Sequence, residues 1–197
     1  MSPSETALGL IELYSVARGL AALDAGCKAA AVELIFARPF CAGKFAGLWR
    51  GRVAEVRSAL DAARRVGGEL VVGECLLPAV HPDLPGALGT SRPCPRGAAL
   101  GVVEAFNIAA ALRAADAAAK AAAVELLEVR LAVGLGGRGY FTLAGETAAA
   151  AQAVEVAAAL LTAEGLLVDR RLIPAPAPAL LERLELLDPP TPPPDPS

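Results

Sequence analysis

The chain has 197 residues, 55% apolar and only 4% aromatic, enough for one large domain or two small ones packed from small side chains. A formal charge of -3 with no lysine/arginine cluster excludes a nucleic-acid surface, and no apolar run reaches the ~18 residues that a membrane span requires. The four cysteines (27, 41, 75 and 94) form no CxxC pair; this excludes a zinc ribbon within one chain and, with no signal peptide in the polar start Met1–Thr6, points to a cytoplasmic protein with reduced thiols.

Ala7–Leu13 is an apolar run of strand type. Ser15, a residue of N-cap type, opens a helix that runs to about Ala30. Val32–Ala37 and Phe45–Arg50 read as strands flanking the tight break Arg38-Pro39-Phe40-Cys41-Ala42-Gly43-Lys44. A second helix runs from about Arg52 to Val66, with Val53, Val56, Leu60 and Ala63 on one face. Glu69–Leu77 is a last strand, stopped by Pro78. Pro82–Gly97, with four prolines and three glycines, reads as a linker with Cys94 exposed on it. The series then restarts at Ala99. It ends on Pro174-Ala175-Pro176-Ala177-Pro178, a short amphipathic helix over about Ala179–Leu187, and a proline-rich stretch, Asp188–Ser197, expected to be disordered.

The restart is a duplication. Ala7–Arg38 set against Ala99–Arg130 gives 17 identities in 32 positions, ten of them not alanine. They include Gly9/Gly101, Glu12/Glu104, Asp24/Asp116, Lys28/Lys120 and Arg38/Arg130. The offset of 92 becomes 94 at Gly51/Gly145 and 96 at Leu77/Ile173, so the units differ chiefly at the loop that holds Cys41. Strand-helix-strand-strand-helix-strand is the split βαβ order of ferredoxin-like α/β (α+β) folds. The chain thus divides into units 7–82 and 98–176, a linker 83–97 and a tail 177–197. In each unit both helices lie on one face of a four-stranded sheet, and the other face is left for a partner.

Chemistry-bearing residues are few. His81 is the only histidine, which leaves little for a Cys-His or Ser-His-Asp mechanism. Glu12 and Glu104 are equivalent by duplication and stand in different units, so they are structural rather than a catalytic pair. Cys27 and Cys75 fit ordinary packing. Lys28 and Lys120 close the first helix of each unit, where a cation favours the helix dipole. The Gly134-Leu135-Gly136-Gly137-Arg138-Gly139 stretch lies between two strands with no helix following, which argues against a nucleotide cradle. Cys41 sits on a break too short to bury it in its own unit, so it is exposed or at a subunit contact.

Ala-Leu-Gly-(Leu/Val)-(Ile/Val)-Glu at the head of each unit, Asp-x-x-x-Lys-Ala-Ala at the end of each first helix, and the glycine before each second helix resemble the bacterial microcompartment shell domain, repeated in tandem without circular permutation. The resemblance covers nearly all of both units. It implies a non-enzymatic structural tile: a homotrimer whose six domains imitate a hexamer and pack with other shell hexamers, trimers and pentamers. The Cys41-Ala42-Gly43-Lys44-Phe45 loop is similar to one in trimeric shell proteins of propanediol-utilisation microcompartments, with alanine where those have proline. There the cysteine meets its symmetry mates on the three-fold axis and holds an iron–sulfur cluster. The resemblance thus implies a [4Fe-4S] centre, reducible to [3Fe-4S] by loss of iron, on Cys41 of three chains. It also implies a pore lined by Phe40, Cys41, Ala42, Gly43, Lys44, Gly134, Leu135, Gly136, Gly137 and Arg138, and tile-edge contacts at Lys28 and Lys120. A plain metabolite conduit, and a duplicated ferredoxin-like domain that senses a small ligand, remain the alternatives. One motif departs: the shell domain often ends its last strand Pro-Arg-Pro-His, and this chain has Pro78-Ala79-Val80-His81 and Pro174-Ala175-Pro176-Ala177.

Overall fold

The computed structural model describes residues 6–40, 43–131 and 136–184. The first unit runs β1 (Ala7–Leu13), α1 (Val16–Ala29), β2 (Glu33–Phe40), β3 (Lys44–Gly51), α2 (Val53–Gly67), a 3-10 turn at Gly68–Leu70 and β4 (Val71–Leu77). After α3 (Asp83–Gly89) the second repeats it as β5 (Ala99–Ala105), α4 (Ile108–Ala121), β6 (Val124–Leu131), β7 (Gly139–Gly145), α5 (Thr147–Ala163) and β8 (Leu167–Ile173), and α6 (Pro178–Leu184) follows. The sheets are ordered β2-β3-β1-β4 and β6-β7-β5-β8, with antiparallel neighbours throughout. Even the irregularities recur: the ladder slips at Glu12/Leu13 in one unit and at Glu104/Ala105 in the other.

Local chemistry sets the element ends. The Ser15 hydroxyl accepts from the Arg18 N–H at 3.1 Å, so the expected N-cap forms, and the Asn107 side chain repeats it in the second unit, accepting from the Ala110 N–H at 2.8 Å. Gly68, at φ 56°, ends α2 in a conformation that L side chains rarely adopt.

Alternation along β1 divides its side chains between two cores. Ala7, Ile11 and Leu13 join Ala22, Leu23, Val56 and Leu60 beneath the unit's own helices. Leu8 and Leu10, with Leu48, Cys75 and Leu77, face the other way and share a cluster with Leu112 and Ala115 of α4. The sheet face left open in a lone unit is therefore covered, in the first unit, by the second unit's first helix. That packing explains why α4 is buried almost all round while α1 buries only Gly19, Ala22, Leu23 and Gly26.

Helix–sheet packing is compensated between units. A Cβ on Gly19 would lie 2.3 Å from the Phe45 ring, one on Gly26 2.6 Å from Trp49, and one on Gly47 2.4 Å from Leu23. The second unit carries Ala111 with Gly139, Ala118 with Leu143, and Ala115 with Phe141. At the last of these pairs the large side chain has moved from helix to strand, and at the other two a smaller strand residue admits an alanine on the helix. Close packing at interior density demands such exchanges.

The segment between units is more than a linker. α3 packs chiefly on β6, and Leu84 and Ala87 are fully buried. Cys94, expected to be exposed, is half-buried against the Leu100, Leu127 and Ala144 cluster. The apolar spacing Leu84, Ala87, Leu88 was too short, and too broken by Pro85 and Gly86, to mark a helix in the sequence.

Candidate functional site

The chain's distinctive geometry is the seam where α4 crosses the open face of the first sheet. At the N-terminus of α4 lies Glu12, fully buried. Its Oε1 accepts from Lys44 Nζ at 2.8 Å. Its Oε2 has no hydrogen-bond partner among the described residues. Burial raises this carboxyl above the usual range, while Lys44 and the Ile108 amide at the first turn of α4 restrain the rise. Lys44 also stands 5.3 Å from the Tyr14 ring centroid, and its Nζ lies 3.0 Å from where a Cβ on Gly137 would be. With φ at 88° there, only glycine fits.

At the other end of α4, Asp116 is buried. Its Oδ1 accepts from the His81 N–H at 2.9 Å and its Oδ2 from Lys120 Nζ at 2.5 Å. Lys120 donates again to the Pro78 carbonyl at 3.2 Å. The Asp-x-x-x-Lys motif of the second unit thus clamps the turn after β4. In the first unit the same motif pairs only with itself, Lys28 to Asp24 at 2.6 Å, with Lys28 75% exposed.

Mid-seam, Cys75 faces the charge of Arg113 on α4, and burial pushes its thiol up to about 12. This cysteine is a packing residue, as expected. Cys27 is exposed, and its sulfur accepts from the Trp49 indole N–H at 3.4 Å. His81 takes no basic role: its Nδ1 accepts from the Asp83 N–H at 3.3 Å.

The second unit holds the same constellation uncovered. Glu104, Arg138 and Phe106 replace Glu12, Lys44 and Tyr14; Arg138 is 3.6 Å from Glu104 and 5.7 Å from the Phe106 centroid. Both charged side chains are partly exposed, 47% for Arg138 and 32% for Glu104. Gly43, the counterpart of Gly137, has φ 72° and nothing within 4 Å of an added Cβ.

Of the residues expected to line a pore, Cys41, Ala42, Gly134 and Leu135 lie outside the described residues. Gly43, Gly136 and Arg138 are exposed at the loop ends. Lys44, Phe40 and Gly137 are buried within the chain. Lys44 is 7% exposed and committed to Glu12, Phe40 is 8% exposed and packed edge-on to Phe36, and Gly137 is buried. Sequence spacing put Lys44 beside the loop but could not show that its side chain turns into the seam. Arg38, read from the sequence as the start of the break, lies within β2 and stacks on Phe36 and Phe40 at 4.8 and 5.1 Å.

Among the described residues no three His, Cys, Asp or Glu side chains gather as a metal site within one chain, and no helix is long and apolar enough to cross a membrane. A cavity of about 590 Å³ lies beside the turn after β4. Its charged groups are already engaged: Glu33 pairs with Arg50 at 2.5 Å, and Glu55 accepts from the Arg52 N–H.

The chain is two fused βαββαβ units, the open face of the first covered by α4 and that of the second partly covered by the inter-unit segment and α6. The BMC domain family model matches residues 7–80 and 99–176, and the chain belongs to the bacterial microcompartment shell proteins of tandem BMC-domain type. It is 36% identical over 170 residues to the bacterial microcompartment shell protein PduT of Citrobacter freundii, covering 86% of this chain and 92% of that one. A microcompartment protein from Desulfitobacterium hafniense DCB superposes with a TM-score of 0.81 at 39% identity, over 89% of this chain and 98% of that one. The fused permuted hexameric shell protein MSM0275 of the RMM microcompartment shares the fold, with a TM-score of 0.60 at 24% identity over 80% and 84% of the two chains.

Proposed function

We propose that three chains close into a ring of six domains, a shell tile whose between-chain seams copy the within-chain seam. One observation carries this: the surfaces needed for a second seam exist and are bare. On α4, Ile108 and Leu112 are fully buried against the first sheet; at the same positions of α1, Val16 is 41% and Leu20 54% exposed. Burying each is worth roughly 1.5–3 kcal/mol. The polar groups match as well. Across the inner seam an arginine stands on the helix and a small residue on the strand (Arg113, Cys75); across the outer seam the arginine is on the strand and the small residue on the helix (Arg171, Ala21). A contact of this head-to-tail kind closes a ring when its rotation fits, and a six-domain ring fits a fixed seam used three times within chains and three times between them. A three-chain mass by light scattering is expected; a monomer at micromolar concentration would falsify the reading.

The rim of such a tile bears Lys28 and Lys120, the residues we assign to contact with neighbouring hexamers, trimers or pentamers. Its centre receives the loops between β2 and β3, where Cys41 stands. One thiolate per chain cannot hold a cluster, but three on the axis can hold three irons of a cubane, with a non-protein ligand on the fourth. The described flanks fit that use: β2 and β3 pair up to Phe40 and Lys44, and Gly43 is exposed, with nothing among the described residues within 4 Å of an added Cβ. Lys44 is already paired with Glu12, and Arg138 with Glu104 at 3.6 Å. An iron–sulfur centre there supplies one-electron transfer, which makes the tile a route for electrons or for the cluster through the shell. Anaerobic reconstitution tests it: wild type should gain absorption near ~400 nm from thiolate-to-iron charge transfer, and Cys41→Ser should remain trimeric and gain none. Equal iron uptake by both, or by neither, leaves the pore a metabolite conduit.

A further inference from the structure

The linker helix α3 has a counterpart at the end of the chain. Counted from the last strand of each unit, Leu77-Pro78-Ala79 returns as Ile173-Pro174-Ala175, and Leu84 and Leu88 return as Leu180 and Leu184. α3 and α6 are thus the same appendage, hung by the same proline turn. They differ in what they cover. Leu84 is fully buried in a cluster with Leu126 and Val129 of β6. α6 rests Leu181 on its own sheet beside Leu100, Leu127 and Ala144, but Leu180, at the position of Leu84, is 42% exposed.

The two edge strands differ in the same sense. Leu126 and Leu127 are 0% and 3% exposed; Leu34 and Ile35, their equivalents on β2, are 39% and 44%. The edge of β6 is also engaged by the chain that follows α3: the Arg92 N–H donates to the Leu127 carbonyl at 3.0 Å, and Arg92 pairs with Glu125 at 3.2 Å. An apolar edge strand left bare is a surface that proteins cover or charge; β2 carries Glu33 and Arg38, but Leu34 and Ile35 between them stay open.

We infer that α6 of one chain lies over β2 of the next, where Leu180 covers Leu34 as Leu84 covers Leu126. This rests on the trimer reading and adds an exchanged element to it: each chain hooks its neighbour with its last helix. The occupant is a second copy of this chain, because the only helix in the sequence that repeats α3 is α6, and the neighbouring unit in the ring presents β2 where the second unit presents β6.

The test compares the full-length protein, Leu180→Asp and a chain ending at Ala177, each by solution mass and by carbene footprinting read at peptides 33–38 and 125–130. In the full-length trimer both peptides should label weakly. Either change should raise labelling of 33–38 by roughly tenfold, the scale of a buried surface becoming open, and leave 125–130 unchanged. A full-length trimer whose 33–38 peptide labels as strongly as in the variants overturns the inference and spares the trimer. A full-length protein that is a monomer overturns both. Should the variants be folded monomers from a trimeric parent, Leu34→Asp must reproduce that loss; a Leu34→Asp trimer as stable as wild type overturns the inference.

Discussion

Glu12 and Lys44 show how little of a residue's duty is visible in its type. Glu12 recurs by duplication as Glu104 while Lys44 is matched by Arg138, and both were given readings from their neighbours along the chain. Packing of α4 over the first sheet turned them toward each other, which no linear spacing encodes. Breaking this buried pair should be costly. Lys44→Met would leave Glu12 with no cation at a site where burial already raises its carboxyl, and should cost about 3–5 kcal/mol at neutral pH. The sign with pH follows from linkage. A carboxyl raised in the folded state binds its proton more tightly there, so stability is fully present below the ordinary carboxylate range and is lost as pH rises through the raised value. Removing the lysine raises that value further. The deficit of Lys44→Met should therefore shrink on acidification, and Glu12→Gln/Lys44→Met should recover most of it at pH 7. Urea unfolding at several pH values checks this; a deficit independent of pH would mean lost packing alone. For Cys75, held near 12, native protein should react with thiol reagents at this position only as fast as it opens.

At the scale of the element, the order and the bounds of strands and helices were legible because alternation, capping residues and glycine stops agree in both units. The repeat itself doubled the signal. The proline-broken α3 was not legible, since its helix is held by β6 rather than by its own pattern. Nor was the pairing of helix glycines with large strand residues, which depends on contacts between segments some twenty residues apart. It can be tested by borrowing the other unit's solution. Gly26→Leu should cost about 1–3 kcal/mol by overpacking against Trp49. Gly26→Ala with Trp49→Leu, the combination carried as Ala118 and Leu143, should be milder than the sum of its two single changes in thermal unfolding. Additive effects would mean that these positions do not share one packing site.

At the scale of the whole molecule, the duplication was readable and the seam was not. Two sequence units say nothing about which face meets which helix until α4 is seen on the first sheet. The bare counterpart on α1 gives a direct prediction. Leu20→Asp, at a position 54% exposed in the single chain, should leave the monomer's circular dichroism and melting unchanged yet abolish the three-chain mass. Lys28→Ala removes an ion pair with Asp24 and the contact with neighbouring tiles proposed for it. It should leave the three-chain mass intact and impair assembly of trimers into sheets, seen by electron microscopy, whereas Lys120→Ala, which also releases Asp116 and the Pro78 carbonyl, should lower unfolding stability as well.

Covalent joining of α4's unit to the sheet it covers also changes the arithmetic of dilution. In the proposed ring, half of the seams would form at an effective concentration set by a short tether, of order millimolar, and so never compete with the solvent volume. Only two encounters between chains would depend on concentration before the ring closes on itself, and assembly would answer to roughly the third power of chain concentration rather than the sixth. A tile built this way can stay closed at expression levels where six separate domains of the same seam strength would fall apart. It also lets the outer seam be weak enough to correct a wrong neighbour without loosening the inner one.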